Sequence, residues 1–474
     1  MSVALAVERW LARPGRAPAV RDVTVLAGAG GVALAGGGAG NAAGRGLLAM
    51  PAPVNAHDHG MGIRTLDFGC LDDALEPWIT WLRLRPPTDP YLEALVAFGR
   101  TALAGSAATM HCHNSHLADH LVEEAAAVVR AARDCGIRLG LSCPLLDDSP
   151  WVYGGPHQLS ALFGEAEWQR LSGLVPRYQP ISEQLAAIDA IARAYAGDGV
   201  DVQYGPIGPQ WASDALLEAI AEASAATGRR IHMHLLESPR QRVWLDRRFP
   251  DGVVRHLDRI GFLSPRLAVA HGVHLRADEC ELLAERGVTV VTNPSANLRL
   301  RSGVAPLAAI RRAGLPFALG LDGTGFDDDQ DIWREMRLLW LLHGGREMDA
   351  RLDAGDLFEA AIGQGAVVVN QPAGGDVVVV DYAALTADAV FDDLDEARVL
   401  LARMNAAHVR DLVVAGRHVV RDGRLTGFDF AAARRELAAQ ARAALPHLSV
   451  ERDHARLIAD AVRRHYRERY PAAV

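Results

Sequence analysis

The chain has 474 residues, half of them hydrophobic, with 49 basic against 58 acidic side chains and a net charge of −9. That length holds one large domain plus an accessory one. The acidic balance excludes a nucleic-acid surface, which needs a basic face. All 49 basic residues are arginine, so lysine Schiff bases, phosphate-loop lysines and metal pairs bridged by a carboxylated lysine are excluded too.

No apolar run reaches membrane-spanning length. Residues 1–10 carry Glu8 and lack a basic region followed by an apolar core, so they do not read as a secretory signal. Cys70, Cys112, Cys135, Cys143 and Cys280 are odd in number and scattered, which suits free thiols in a reducing, cytoplasmic setting.

In chain order, residues 19–46 read as short β-strands and turns. The run Gly28-Ala29-Gly30-Gly31 is not followed by a helical pattern, so it is not a phosphate loop. Short apolar strands are then expected at 48–55, 107–112, 138–143, 200–205, 230–234, 267–271, 288–292 and 317–321. Helical stretches at 117–135, 181–196, 215–227, 277–286 and 305–313 fall between them. This alternation predicts an α/β protein built on a (β/α)8 TIM barrel over residues 48–373. A helical tract follows at 333–343 and 357–362, and residues 374–424 turn β-rich. Residues 1–47 plus 374–430 are expected to form a small β-sandwich from the N-terminal and C-terminal flanks. Residues 431–474 read as an Arg-rich helical tail, a solvated face covering the surface.

Catalytic residues in such a barrel sit at the C-terminal ends of strands. His57 and His59 end strand one two residues apart, so both imidazoles share a face and meet one metal ion. Strand five ends in His232-Met-His234-Leu-Leu-Glu237, strand six in His271 and strand eight in Asp322-Gly323. His234 is assigned as a ligand because Glu237 then falls beside it at the barrel mouth, and His232 as a supporting residue. His57, His59, His234 and Asp322 thus suit one divalent ion, zinc or iron(II). Glu237 would shuttle protons, Asp322 would orient the water or take its proton, and His271 would polarise the group under attack.

Asn55-Ala-His57-Asp-His59, His234-Leu-Leu-Glu237, Ala270-His271, Asn293-Pro-Ser-Ala-Asn297 and Gly320-Leu-Asp322-Gly323 together resemble the amidohydrolase superfamily. They are most similar to its mononuclear deaminase and s-triazine hydrolase branch, with cytosine, guanine and S-adenosylhomocysteine deaminases. The resemblance runs from about residue 20 to 425. It implies hydrolysis at an sp2 carbon of a small heterocyclic substrate, and a homo-oligomer, dimer or higher, is expected. The first expectation is an aminohydrolase that releases ammonia from a purine, pyrimidine, pterin or triazine-like ring. The alternatives are a cyclic amide hydrolase, a dechlorinase or alkylamine-releasing enzyme, and an inactive structural metal protein.

Trp78, Trp81, Arg85, Trp151, Gln210 and Trp211 follow barrel strands and are candidates to stack on a planar ring or hydrogen-bond its edge. Strand two ends in Met110-His-Cys-His-Asn-Ser-His116, from which His113 or His116 is expected to line the pocket. Asp327, Asp328 and Asp329 read as a solvated loop.

Overall fold

The computed structural model describes residues 2–36, 44–115, 120–323, 329–345, 348, 352–372 and 375–470. His116, Asp327 and Asp328 lie outside them. The strands are β1 (Ser2–Trp10), β2 (Val20–Gly28), β3 (Gly31–Gly36), β4 (Leu47–Pro51), β5 (Val54–Asp58), β6 (Ala108–Cys112), β7 (Arg138–Leu145) and β8 (Val200–Pro206). There follow β9 (Ile231–Leu235), β10 (Leu267–His271), β11 (Thr289–Thr292), β12 (Phe317–Leu319), β13 (Val377–Asp381), β14 (Val409–Val414), β15 (Arg417–Arg421) and β16 (Arg424–Leu425).

Strands β5 to β12 form one parallel sheet in sequence order. It closes where the N–H groups of Leu321 and Asp322 both donate to the His57 carbonyl, at 2.9 and 2.8 Å. Every residue of β5, β6, β9, β10 and β11 is buried. Strands covered on both faces read as continuous apolar runs, which is why the barrel was legible. The N-terminal end of the barrel is plugged: Val368 and Val369 pack with Val54, Ala108 and Ala318, and Gln203 Nε2 donates to the Val368 carbonyl at 2.9 Å.

The remaining strands form a second sheet in the order β16-β15-β14-β13-β4-β1-β2-β3. It is antiparallel except for the β1–β4 pair. It curls enough that β1 meets β15 and β2 meets β14, so both chain ends share one core.

Three local expectations change. The strand expected at 48–55 is two strands in different sheets, β4 and β5, because Pro51 and Pro53 interrupt the ladder between them. Residues 2–10 are a full strand at the heart of the second sheet. The C-terminal helix Leu445–Arg469 is no solvated cover: Ala455, Ile458, Ala459, Val462 and Tyr466 are buried against the helix Leu75–Trp81 and the loop at Trp151–Tyr153. Its arginines are spent outside this stripe, as in the Arg463–Asp73 ion pair. No helix among the described residues is long and apolar enough to cross a membrane.

Candidate metal site and pocket

The site lies at the C-terminal ends of β5, β9, β10 and β12. His59 Nδ1 faces the Cys112 carbonyl at 3.0 Å and His234 Nδ1 faces the Ile207 carbonyl at 2.7 Å. A ring nitrogen facing a carbonyl carries the hydrogen, so both rings turn an Nε2 lone pair inward. His57 does the same by donating from Nδ1 to His232 Nε2 at 2.8 Å, with Cys112 Sγ at 3.3 Å. The inward atoms converge. His59 Nε2 is 3.3 Å from His234 Nε2, and Asp322 Oδ1 is 3.0 Å from His57 Nε2 and 3.2 Å from His59 Nε2. Four electron-rich atoms at this spacing need a cation among them. Three imidazoles and a carboxylate fit one divalent ion, so the donor set passes the chemical test for a mononuclear metal site.

His271 stands at the edge of this group. His57, His234, His271 and Asp322 offer ligand atoms all within 4.8 Å of one another, but His271 Nε2 is 4.0 Å from Asp322 Oδ2 and 3.7 Å from Glu237 Oε2. His271 Nε2 and Glu237 Oε1 are both buried without a partner. Two orphaned polar atoms side by side, next to a metal cage, mark where a reacting molecule would sit.

Burial holds His57, His232, His234 and His271 below the usual histidine range, in the neutral form that ligates metals. Burial also disfavours the charged Asp322 carboxylate, but positive charge held between it and the His57 and His59 Nε2 atoms outweighs that cost and holds the carboxyl well below its usual value. Glu237 goes the other way. Burial first, then the charges of Asp322 and Glu76, push it well above the ordinary carboxylate range. A pair of carboxyls driven apart in this manner is the pattern of an acid/base site.

The backbone is bent to make this arrangement. Leu236, His271 and Asp322 have φ of 52°, 73° and 61°, a costly region for non-glycine residues that persists where surroundings enforce it. Gly320 is required by close approach, since a Cβ there would sit 2.6 Å from His57 Cβ. Asn55 Oδ1 accepts from Leu321 N at 3.0 Å while its Nδ2 donates to Asp58 at 2.6 Å, which ties β5 to the segment bearing Asp322. Asn297 Oδ1 accepts from His271 Nδ1 at 2.8 Å. That contact gives the hydrogen to Nδ1 and leaves Nε2 as an acceptor, so the neutral ring cannot donate to or polarise the group under attack, which corrects the role expected for it.

A cavity of about 480 Å3 opens beside the site, with His59, His234, Glu237, His271 and Asp322 in its wall. Of the expected pocket residues, Trp78, Trp151, Trp211 and His113 line it. His113 is engaged at both nitrogens, with Glu124 at 2.8 Å and His111 at 3.2 Å. Trp81, Arg85 and Gln210 are not in the wall. Trp81 packs with Cys70, Leu75 and Trp78. Arg85 Nη1 donates to the Asn114 carbonyl at 2.7 Å and so shapes the wall from behind. Gln210 accepts from Gln241 Nε2, and Gln241 Oε1 accepts from the Glu237 backbone N–H, both at 2.5 Å, so Gln210 braces the proton-carrying residue at one remove. Tyr178 and Glu76 carried no marker in the sequence. Tyr178 lines the cavity. Glu76 is buried, accepts from Tyr153 at 3.0 Å and from the Ser238 hydroxyl, and lends its charge to Glu237.

Behind the site, Glu335 Oε1 accepts from Ser295 N at 2.7 Å and so fastens the segment that carries Asn297. Burial pushes the Glu335 carboxyl up to about 7, against the pull of the Ser295 hydrogen bonds and with the Asp322 charge adding to it. The folded chain therefore binds more protons than the unfolded one between the ordinary glutamate value of 4.5 and about 7, and stability falls as pH rises through that window. Glu335→Gln keeps the acceptor and removes the charge. It is expected to be no more stable than wild type below pH 4.5 and to gain steadily toward pH 7, by up to roughly 3 kcal/mol. Denaturant unfolding of both proteins at three pH values checks this, and a pH-independent difference would refute it.

Fold and site together define a (β/α)8 barrel with a mononuclear His/Asp metal centre. The model of the amidohydrolase family matches residues 48–409, and the chain belongs to that family. It is 29% identical to a 5-methylthioadenosine/S-adenosylhomocysteine deaminase of Thermococcus sibiricus over 353 residues, 71% of this chain and 75% of the relative. It is 27% identical to an 8-oxoguanine deaminase of Pseudomonas aeruginosa over 339 residues, 65% of this chain and 72% of the relative. An adenosine deaminase from Xanthomonas campestris, solved with bound zinc, superposes with a TM-score of 0.73 at 21% identity, covering 94% of this chain and 98% of that one. Atrazine chlorohydrolase TrzN from Arthrobacter aurescens, complexed with zinc, gives 0.74 at 20% identity over 92% and 99%.

Proposed function

We propose that the chain is a hydrolytic deaminase that converts the C–NH2 group of a planar nitrogen heterocycle to a carbonyl and releases ammonia. The observation that carries this reading is the pair of orphaned atoms, Glu237 Oε1 and His271 Nε2, beside the converging Nε2 atoms and Asp322. The deaminase relatives support the reaction type. His57, His59, His234 and Asp322 would hold one ion, which we take to be zinc. When bound, it supplies Lewis acidity and makes water a nucleophile near neutral pH.

The protein's own groups do the rest. Glu237, with its raised affinity for a proton, carries one proton of the water to a ring nitrogen and then the second, from the hydroxyl now on the ring carbon, to the amine, so that the C–N bond breaks, ammonia leaves and the carbonyl forms. His271, neutral and with Nδ1–H engaged by Asn297, accepts a hydrogen bond from the attacking oxygen through Nε2. Trp151 and Trp211 line the cavity that receives the rest of the substrate. The test is ammonia release by zinc-loaded protein over a panel of aminopurines, aminopyrimidines, pterins and aminotriazines, with metal counted by elemental analysis. One metal per chain and turnover of at least one class are expected. Full activity without metal, or no ammonia from any class, overturns the proposal.

A further inference from the structure

The cavity has two chemically different halves. One end carries the metal cage, Glu237 and His271. The rest is mostly apolar, built from Trp78, Ile79, Leu82, Leu146, Trp151 and Trp211 with prolines among them. Several polar side chains on this wall are already engaged within the protein. Gln184 exchanges hydrogen bonds with both the N–H and the carbonyl of Leu146, at 3.3 and 3.1 Å, and donates to the Gln179 carbonyl at 2.8 Å. Arg83 is held by Glu451 of the C-terminal helix at 2.7 Å. Thr80 donates to the Pro77 carbonyl at 2.7 Å, and His113 is bound to Glu124.

Arg177 and Glu183, also in the wall, are exposed to solvent; two lining donors are not. The Trp211 indole N–H and the Tyr178 hydroxyl are buried and make no hydrogen bond. Both are donors, and buried donors call for a partner. A bare ring engaged at Glu237 leaves the apolar half of a 480 Å3 cavity to water. A sugar would fill it, but would set its hydroxyls against a largely apolar wall whose polar groups are mostly spent.

Resting on the deaminase reading, we propose that the substrate is an amino-heterocycle bearing an apolar arm of several carbons with one hydrogen-bond acceptor along it. The arm lies against Trp78, Leu82, Leu146 and Trp151. Its acceptor, an ether or thioether atom or a carbonyl, meets Trp211 Nε1–H or the Tyr178 hydroxyl. Each methylene added to such an arm gains about fourfold while the wall still covers it.

The experiment uses the zinc-loaded full-length protein and two matched series. One is 6-aminopurine carrying methyl, butyl, benzyl, 2-methoxyethyl or ribosyl at N9. The other is 2-amino-s-triazine with the same alkyl groups on a second exocyclic nitrogen. Ammonia release gives kcat/KM, and calorimetry gives the affinity for each compound's deaminated product. Butyl, benzyl and methoxyethyl members are expected to exceed the methyl and ribosyl members by at least tenfold in kcat/KM and in affinity. Leu146→Gln is expected to shrink the benzyl-to-methyl ratio severalfold. Equal or better performance of the methyl or ribosyl members overturns the proposal and leaves the deaminase reading standing. If nothing in either series is deaminated, the calorimetric order still decides: arm-dependent affinity upholds the apolar chamber while the deaminase reading falls, and flat affinities overturn both.

Discussion

A His234→Ala protein is expected to come off a metal-free column without its ion and to lose turnover, while a His271→Ala protein keeps the ion. The contrast follows from where the two rings point. His234 Nε2 is 3.3 Å from His59 Nε2, with Nδ1 locked on the Ile207 carbonyl, so its lone pair has no other use than the cage. His271 Nε2 is 4.0 Å from the nearest Asp322 oxygen. Losing an outer hydrogen-bond partner of a metal ligand costs about 10–100-fold in metal affinity or activity, and removing the ligand itself should exceed that. His57, His234, His271 and Asp322 nevertheless form a compact set of donor atoms, so the opposite result is a defined alternative. If His271→Ala loses metal and His234→Ala retains it, the ligand assignment is wrong at both positions.

These assignments could be reached from the sequence because barrel strands carry chemistry at a fixed end. The spacing within His57-Asp-His59 and His232-Met-His234 fixes which residues share a face, and Glu237 follows at the strand's exit. What the spacing could not reveal is how deeply each residue is embedded. His232 and His234 look alike in the sequence. In the fold His232 stacks on His57 and takes its Nδ1 hydrogen, whereas His234 reaches the cage.

The pocket was less legible, for a different reason. A tryptophan after a strand packs or lines a cavity depending on contacts made by distant chain. Trp151 and Trp211 are held in the wall by a cluster that includes Ile458, Val462 and Tyr466 of the C-terminal helix. The Arg-rich composition of that helix concealed its apolar stripe. Trp81 was drawn away by the Cys70–Trp78 cluster, and Gln210 by its amide pairing with Gln241. Strand β1 carried no marker because its partners, β2 and β4, are set by long-range pairing.

Glu237→Gln is the sharpest test of the chemistry. The substitution keeps the size of the side chain and an oxygen acceptor, and removes the exchangeable proton. Glu237 is held by its backbone N–H on Gln241, a contact the substitution leaves alone, so fold and pocket shape should persist. Its Oε1 has no protein partner and its Oε2 only the 3.7 Å approach to His271 Nε2, so no structural bond depends on the negative charge. Burial with two neighbouring carboxylates lifts its proton affinity, and neutralising one of three acidic groups should, if anything, stabilise the apoprotein. Metal stoichiometry should therefore stay at one per chain while turnover falls by about 10^2–10^4-fold, the usual share of general acid–base catalysis. KM should change little, because the lost interaction is with the proton in flight and not with the bound ring. If Glu237 were itself a ligand, the variant would lose metal together with activity. A variant with full metal content and an unchanged rate would remove Glu237 from the mechanism and leave His271 and Asp322 as the groups able to move the proton.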